Sequence, residues 1–240
     1  YLDTLKDHYE AFWQMGVPVD IISEQDDLDG YALVLTPMLY MIREGFDQKL
    51  RTFVQNGGTL VSSYHSHIVN ETDLCFLGGW PGNMMDVFGI WNEEIDSLED
   101  GESNTIVTSS REYKVKELCA LLHANTADVL GVYGSDFYKG SPALTANQYG
   151  AGKAYYIAAR PGKDFFMDFY QNLVSKLQIP RALPVRLPYG VAATVRESDT
   201  DAYIFVQNYL ETPQTVTLGR EYAVAESNTL ITEIHLRPYE

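Results

Sequence analysis

Two cysteines in 240 residues are too few for a disulfide framework, and a chain of this length buries enough apolar surface to need none. Cys75 and Cys119 are therefore expected to be reduced thiols. No apolar run approaches the ~18 residues that span a bilayer, and the opening "YLDTLKDHYE" lacks the basic and then apolar stretch of a secretion signal. Cations are also scarce: 17 Lys and Arg against 33 Asp and Glu give a formal charge of -16. Such a surface repels phosphate backbones and anionic membranes, so neither nucleic acid nor membrane is an expected partner. The glycine pattern of a dinucleotide fold is missing from the first strand-to-helix turns, and no cofactor is expected. There is no initiator Met. A chain that begins at Tyr1 inside a helical pattern and stops at "HLRPYE" is expected to be cut from something longer.

What is present is an ordinary globular composition, 45% hydrophobic, enough for one large core or two modest ones. From Leu2 to Met15 the apolar residues Leu2, Leu5, Tyr9, Phe12 and Trp13 follow helical spacing, and Gly16 then Pro18 end the helix. "VPVDII" reads as a short strand, "GYALVLTP" (30–37) as a strand covered on both faces, "EGFDQKLRTFVQNGG" as a helix and "TLVSSY" as a third strand. Strands alternating with helices of ~10–15 residues predict right-handed βαβ units, a largely parallel sheet and a doubly wound α/β domain. The run "EEIDSLEDGE" (93–102) holds Glu93, Glu94, Asp96, Glu99, Asp100 and Glu102 without a cation and is expected to be a solvated loop. After it come short strands, a hairpin at "NQYGAGKA" and a closing helix, "KDFFMDFYQNLVSKLQI". The Pro-rich "PRALPVRLP" (180–188) leads to "GVAATVRE", "DAYIFVQNY", "TPQTVTLG", "YAVAES" and "NTLITEIHLRPYE", whose short regular spacing predicts a small all-β sandwich.

A working site would be sought in "TLVSSYHSHIVNETDLC" (59–75), because α/β folds present reactive groups where strands end. His65 and His67 stand two apart and share a face if the strand continues, with Glu71, Asp73 and Cys75 beyond. The set lacks recognised zinc spacing and mixes hard and soft ligands, so it reads as a polar strand-end loop and no metal is expected. Ser62, Ser63 and Ser66 are near, but no Gly-x-Ser-x-Gly or Gly-x-Cys-x-Gly turn carries a nucleophile, and Cys75 lies well past the turn. Cys119 and His123 in "LCALLHA" are expected in the core. The aromatics of "GGWPGNMMDVFGIW" read as core and interface area, with sugar stacking as the pointed alternative.

Several stretches together resemble the C-terminal part of glycoside hydrolase family 42 β-galactosidases. They are the opening helix through "GVPVDII", "LDGYALVLTPMLYMI", "FVQNGGTLVSSYHSHIVNETDL" with "LGGWPGNMMDVFGI", and "VLGVYGSDFYKGSPALTANQYGAGKAYYIAARP". The resemblance implies a flavodoxin-like domain, similar to class I glutamine amidotransferases and devoted to trimer formation, over residues 1–181. A small all-β sandwich would follow over 182–240. The strand end from Tyr64 to His67 corresponds to the place where an amidotransferase holds its nucleophile, and no Cys stands there. Family members more often carry an aromatic and a small residue where this chain has His65 and His67.

In that family two glutamates, held ~5 Å apart at the ends of TIM-barrel strands, hydrolyse β-galactosides with retention. This chain does not have the pattern of that barrel, and no glutamate here takes either role, so no catalytic residue is expected. The expected partners are further copies in a homotrimer and the parent's catalytic barrel, with β-galactoside reached only through the parent. A cytoplasmic address is the default. His65, His67 and Trp80 remain the cleft candidates for contact with substrate. The alternatives are a free-standing amidotransferase-like hydrolase, using His65 or His67 with a nearby Ser or Cys75, and a carbohydrate-binding module stacking sugar on Trp80 or Trp91.

Overall fold

The computed structural model describes residues 1–240. It divides into two compact units, one of Tyr1–Leu5 and Ile22–Phe165, the other of Lys6–Ile21 and Phe166–Glu240. Helix α1 (Leu2–Met15) has the span that its apolar spacing predicts. Residues 17–22, expected to be a strand, form none: Pro18 has no N–H to give to a ladder, and Ile21 is 76% exposed with no strand beside it.

The first unit is built on β1 (Leu33–Thr36), α2 (Phe46–Gln55) and a third element expected from the sequence, a strand at Thr59–Ser63. Between these lies a short strand, β2 (Met41–Ile42), so the Thr59–Ser63 strand is β3. Helix α2 buries Phe46, Leu50 and Val54, one every four residues, and leaves its other side wet. All five residues of β3 are buried although three of them, Thr59, Ser62 and Ser63, are polar, and it pairs in parallel with β1. The small β4 (Val69–Asn70) pairs in parallel with β2. A single turn of helix, α3 (Met85–Phe88), then leads to β5 (Ile90–Ser97), β6 (Asn104–Thr108), β7 (Glu112–Ala124), β8 (Asp128–Tyr133), β9 (Pro142–Tyr149), β10 (Gly152–Ile157) and β11 (Ala159–Pro161).

The sheet is mixed rather than largely parallel. β3 pairs in parallel with β1 and β10, whereas the β10–β9, β9–β8, β8–β6, β6–β7, β7–β5 and β7–β11 pairs are antiparallel. The physical reason is the connections. A parallel pair needs a crossover of a dozen or more residues, usually helical, and between α3 and α4 (Lys163–Lys176) there is no helix at all. Tight turns force antiparallel neighbours instead, as at the predicted hairpin, where Tyr149 pairs with Gly152.

Because β11 resumes after only Ala158, the ladder β10–β9–β8–β6–β7–β11 returns to the strand on which it began. Tyr133 of β8 crosses the ring so formed. Its buried hydroxyl lies 3.0 Å from the Ala120 carbonyl oxygen of β7 and 3.2 Å from that of Ala158. The acidic run also departs from expectation. Glu93, Glu94 and Asp96 belong to strand β5, whose Ile90 and Asn92 point into the core while Glu93 and Glu94 stay in water.

In the second unit β12 (Val191–Glu197) and β13 (Ala202–Asn208) form one antiparallel pair, and β14 (Gln214–Ala223) and β15 (Leu230–Leu236) form another. The piece "TPQTVTLG", from Gln214, and the first two residues of "YAVAES" belong to one strand, β14, whose register breaks between Thr217 and Tyr222, and the rest of "YAVAES" is turn. Leu183, Leu187, Val191, Val216, Leu218 and Leu236 make a common core for these small sheets. Within the same unit α1 and α4 meet through Phe12 and Tyr170, whose rings are 4.5 Å apart, and His8 is hydrogen bonded to the Tyr170 hydroxyl.

One polar clasp fixes the first unit's helices on its sheet. Arg51 of α2 donates to the Tyr149 hydroxyl at 2.7 Å, to Asp86 Oδ1 at 2.9 Å and to the Asn83 carbonyl. Arg51 in turn holds the Asp86 carboxyl below the usual carboxylate range. Arg51→Ala is expected to cost about 1–2 kcal/mol in urea unfolding, a charge-assisted hydrogen bond discounted for Asp86's exposure. The contribution is present above the unfolded carboxylate pKa and fades as pH falls through the lowered one, so wild type and variant should converge in acid. Equal pH dependence of the two midpoints would contradict this role.

Candidate functional site

The end of β3 is where a reactive group was sought, and the structure gives every hydroxyl there a structural task. Ser63 Oγ accepts the Met38 N–H at 2.9 Å, and Ser66 Oγ accepts the Leu39 N–H at 3.1 Å. Ser62 and Ser66 both donate to the Thr36 carbonyl, at 3.3 Å and 3.2 Å. The serines thus stitch the end of β3 to the end of β1. Tyr64, buried beside them, shares a hydrogen bond of 2.9 Å with the Thr4 hydroxyl. Neither His65 nor His67 is hydrogen bonded to any of these serines, so the base that a serine nucleophile requires is not in place.

Beyond Tyr64 the backbone turns sharply, with φ of 56° at His65 and 58° at His67, a left-handed region that costs a residue with a Cβ about 1 kcal/mol or more. The turn sends the two histidines to different surroundings. His65 is half-buried, which lowers its pKa. His67 is 0% exposed, sits 5.8 Å from the Phe88 ring, and has no partner at either ring nitrogen. Burial lowers its pKa to about 4, against an opposing pull from the Asp47 carboxylate. It is a neutral imidazole inside a core.

Trp80 is half-buried, follows two glycines and accepts the Asn92 N–H at 2.7 Å; the Trp80–Pro81 bond is cis. Two residues on, Gly82 packs so tightly that a Cβ would stand 3.0 Å from the His67 carbonyl oxygen and 2.5 Å from the Phe76 ring. The segment after the cis bond therefore passes over the backbone of His67, which links two of the three cleft candidates through main chain rather than through side chains.

The remaining polar residues of the stretch form a turn centred on Asn70. Its Oδ1 accepts the N–H groups of Thr72 and Leu74, both at 3.0 Å, and the Thr72 hydroxyl at 2.8 Å. Glu71, Asp73 and Cys75 ride on that turn in solvent. Nowhere in the chain do three or more His, Cys, Asp or Glu side chains converge as a metal site would require.

Two residues grouped together in the sequence part company. Cys119 is buried, and desolvation pushes its thiol up to about 11, beside the hydroxyls of Tyr138 and Tyr133. His123 was expected in the core with it but is exposed. It lies near the end of β7, opposite Trp91 of the edge strand β5, and stacks on that indole at 4.3 Å with an interplanar angle of 9°. Its Nε2 is 2.6 Å from Glu93 Oε2. Sequence reading missed this trio because Trp91 and His123 become neighbours only through the β5–β7 register.

The buried histidines generate a pH dependence. A histidine neutral down to about pH 4, whose unfolded counterpart titrates at 6.5, contributes about 3 kcal/mol that is intact above 6.5 and lost as pH falls towards 4. His8, lowered to about 3 by complete burial, adds a parallel loss. His67→Asn tolerates the left-handed backbone and removes one titrating group. It should therefore cut the stability lost between pH 7 and pH 5 by about 2 kcal/mol, read from urea midpoints at both pH values. Parallel profiles for variant and wild type would contradict the burial of a neutral His67.

Residues 1–180 match the family described as the β-galactosidase trimerisation domain. The chain is 44% identical to β-galactosidase Pbg of Clostridium perfringens over 225 residues, covering 91% of this chain and 33% of that protein. It is 42% identical to β-galactosidase BglY of Alicyclobacillus acidocaldarius, covering 95% and 33%. Among solved structures, Gan42B, a GH42 β-galactosidase from G. stearothermophilus, superimposes with a TM-score of 0.96 at 39% identity, over 100% of this chain and 35% of that one. The β-galactosidase from Rahnella sp. R3 gives 0.94 at 43% identity, over 99% and 35%. The chain thus spans about a third of the length of the proteins it matches. With its mixed sheet, its small antiparallel sheets and a match over residues 1–180, this chain belongs to the trimerisation-domain family of GH42 β-galactosidases.

Proposed function

We propose that these residues form a non-catalytic assembly part of a β-galactosidase, whose TIM barrel, outside these residues, hydrolyses terminal β-D-galactosides with retention. The match of residues 1–180 to a trimerisation domain carries this reading. The engagement of Ser62, Ser63 and Ser66 with backbone at the end of β3 supports the absence of a catalytic residue. It also weighs against a free-standing hydrolase, because each hydroxyl would have to leave a buried partner to attack.

In this reading residues 1–181 are a flavodoxin-like, glutamine amidotransferase-like domain that lost its active site, and residues 182–240 are a β-sandwich. The partners are two further copies in a closed ring and the parent's own barrel. β-Galactoside is hydrolysed only at the barrel; of the three cleft candidates His65 and Trp80 are partly exposed and remain, whereas His67 is sealed in the core and is withdrawn. The assembled enzyme works in the cytoplasm, without a metal or cofactor held by these residues.

Light scattering over a wide concentration range tests the assembly. Three chains of 27.1 kDa give 3 × 27.1 = 81.3 kDa, and a species of that mass is the expected result. A persistent monomer would assign the subunit contacts to the barrel. Pure chain should leave a chromogenic β-galactoside uncleaved, and turnover that survives further purification would refute the non-catalytic reading.

A further inference from the structure

We infer that the unit of Lys6–Ile21 and Phe166–Glu240 carries a binding site for a small hydroxylated anion. The site is a cleft of about 810 Å³ bordered by the last turns of α4, the Pro-rich segment that follows and β14. That volume falls within the roughly 300–1,000 Å³ of small-molecule sites. Its chemistry is at odds with the rest of the chain, in which acids outnumber bases 33 to 17. Arg181 and Arg220 both line the cleft, and neither guanidinium has a carboxylate partner.

The placement of Arg220 is built into the backbone. It lies in the stretch between Thr217 and Tyr222 where β14 breaks register with β15, the kind of irregularity that re-aims a side chain. Gly219, at φ 78°, makes the break possible: a Cβ there would approach Val185 to 2.8 Å. The Arg220 guanidinium then lies 4.8 Å from the centre of the Tyr222 ring, which pre-orients its planar fork. The Tyr222 hydroxyl, also in the lining, is buried and has no hydrogen-bond partner.

The ligand class follows from these groups. Two guanidiniums without carboxylates suit the paired oxygens of a phosphate or carboxylate. Gln171 and Ser175, one helical turn apart on α4, and Gln178 in the turn just after it offer amide and hydroxyl groups suited to a ligand's own hydroxyls. Val174 and Ile179 supply apolar wall against which the carbon skeleton can lie. A monosaccharide bearing one phosphate or carboxylate combines these features.

Isothermal titration of the intact chain with galactose 6-phosphate, at low ionic strength, tests the site. Saturable binding is expected, weakened more than about tenfold in R181Q/R220Q and weakened by added salt. Ser175→Trp, an exposed helix position, should fill the cleft and abolish binding while both arginines remain. No saturable binding up to about 10 mM, or an unchanged isotherm in both variants, would overturn the proposal. Neutral galactose binding as tightly would refute the anionic requirement. Inorganic phosphate binding as tightly as the sugar phosphate would refute the need for hydroxyls.

Discussion

The first unit depends on one nearly continuous strand, Gly152 to Pro161, which is hydrogen bonded in turn to β3, β9 and β7. On one side it completes the parallel pairing that buries β3, and on the other it closes the antiparallel ring crossed by Tyr133. The start of that strand is held by sterics as much as by hydrogen bonds. A Cβ at Gly152 would strike the carbonyl oxygens of Val54 and Gly58, and one at Gly150 would come 2.6 Å from that of Gln55. Bare backbone at the hairpin is what lets β10 seat against the end of α2. Register in both halves of the sheet follows from that contact.

The elements that the sequence disclosed are those whose stability is local or nearly so. Helix α1, helix α2, the run into β3 and the hairpin at Gly150 announce themselves by period, by apolar composition or by turn chemistry. Strand direction did not, because it is decided by connections whose length and structure emerge only with the fold. The acidic segment misled for a related reason. Glu93 and Glu94 look like loop, yet a strand with one face in water accommodates carboxylates well, and the buried Ile90 and Asn92 are too few to impose a visible pattern.

The strand end shows how much of a site composition can reveal. The cluster of histidines, serines and acids between 62 and 75 was visible at once, and so was the lack of a nucleophile turn. What the letters could not convey was the allocation of the hydroxyls. Three serines that might have served chemistry are bonded to the backbone at Thr36, Met38 and Leu39, and the histidine most suggestive of a ligand is sealed in the core as a neutral ring. The groups are those of an active site, but their hydrogen bonds serve cohesion. Buried polar groups of this kind are expensive to maintain, since an unpartnered ring nitrogen costs about 1–3 kcal/mol.

The carboxylates on β5 also constrain how copies of the chain can meet. With the ring closed, β5 keeps an open edge beyond Asn92, whose N–H is taken by Trp80, and there it carries Glu93, Glu94 and Asp96 within four residues. Joining that edge to its counterpart on another copy about a two-fold axis would set like charges across from one another. A dimer built by pairing these two edges is therefore electrostatically disfavoured. A ring with an odd number of subunits makes no use of such a two-fold contact, because each of its interfaces joins two different surfaces.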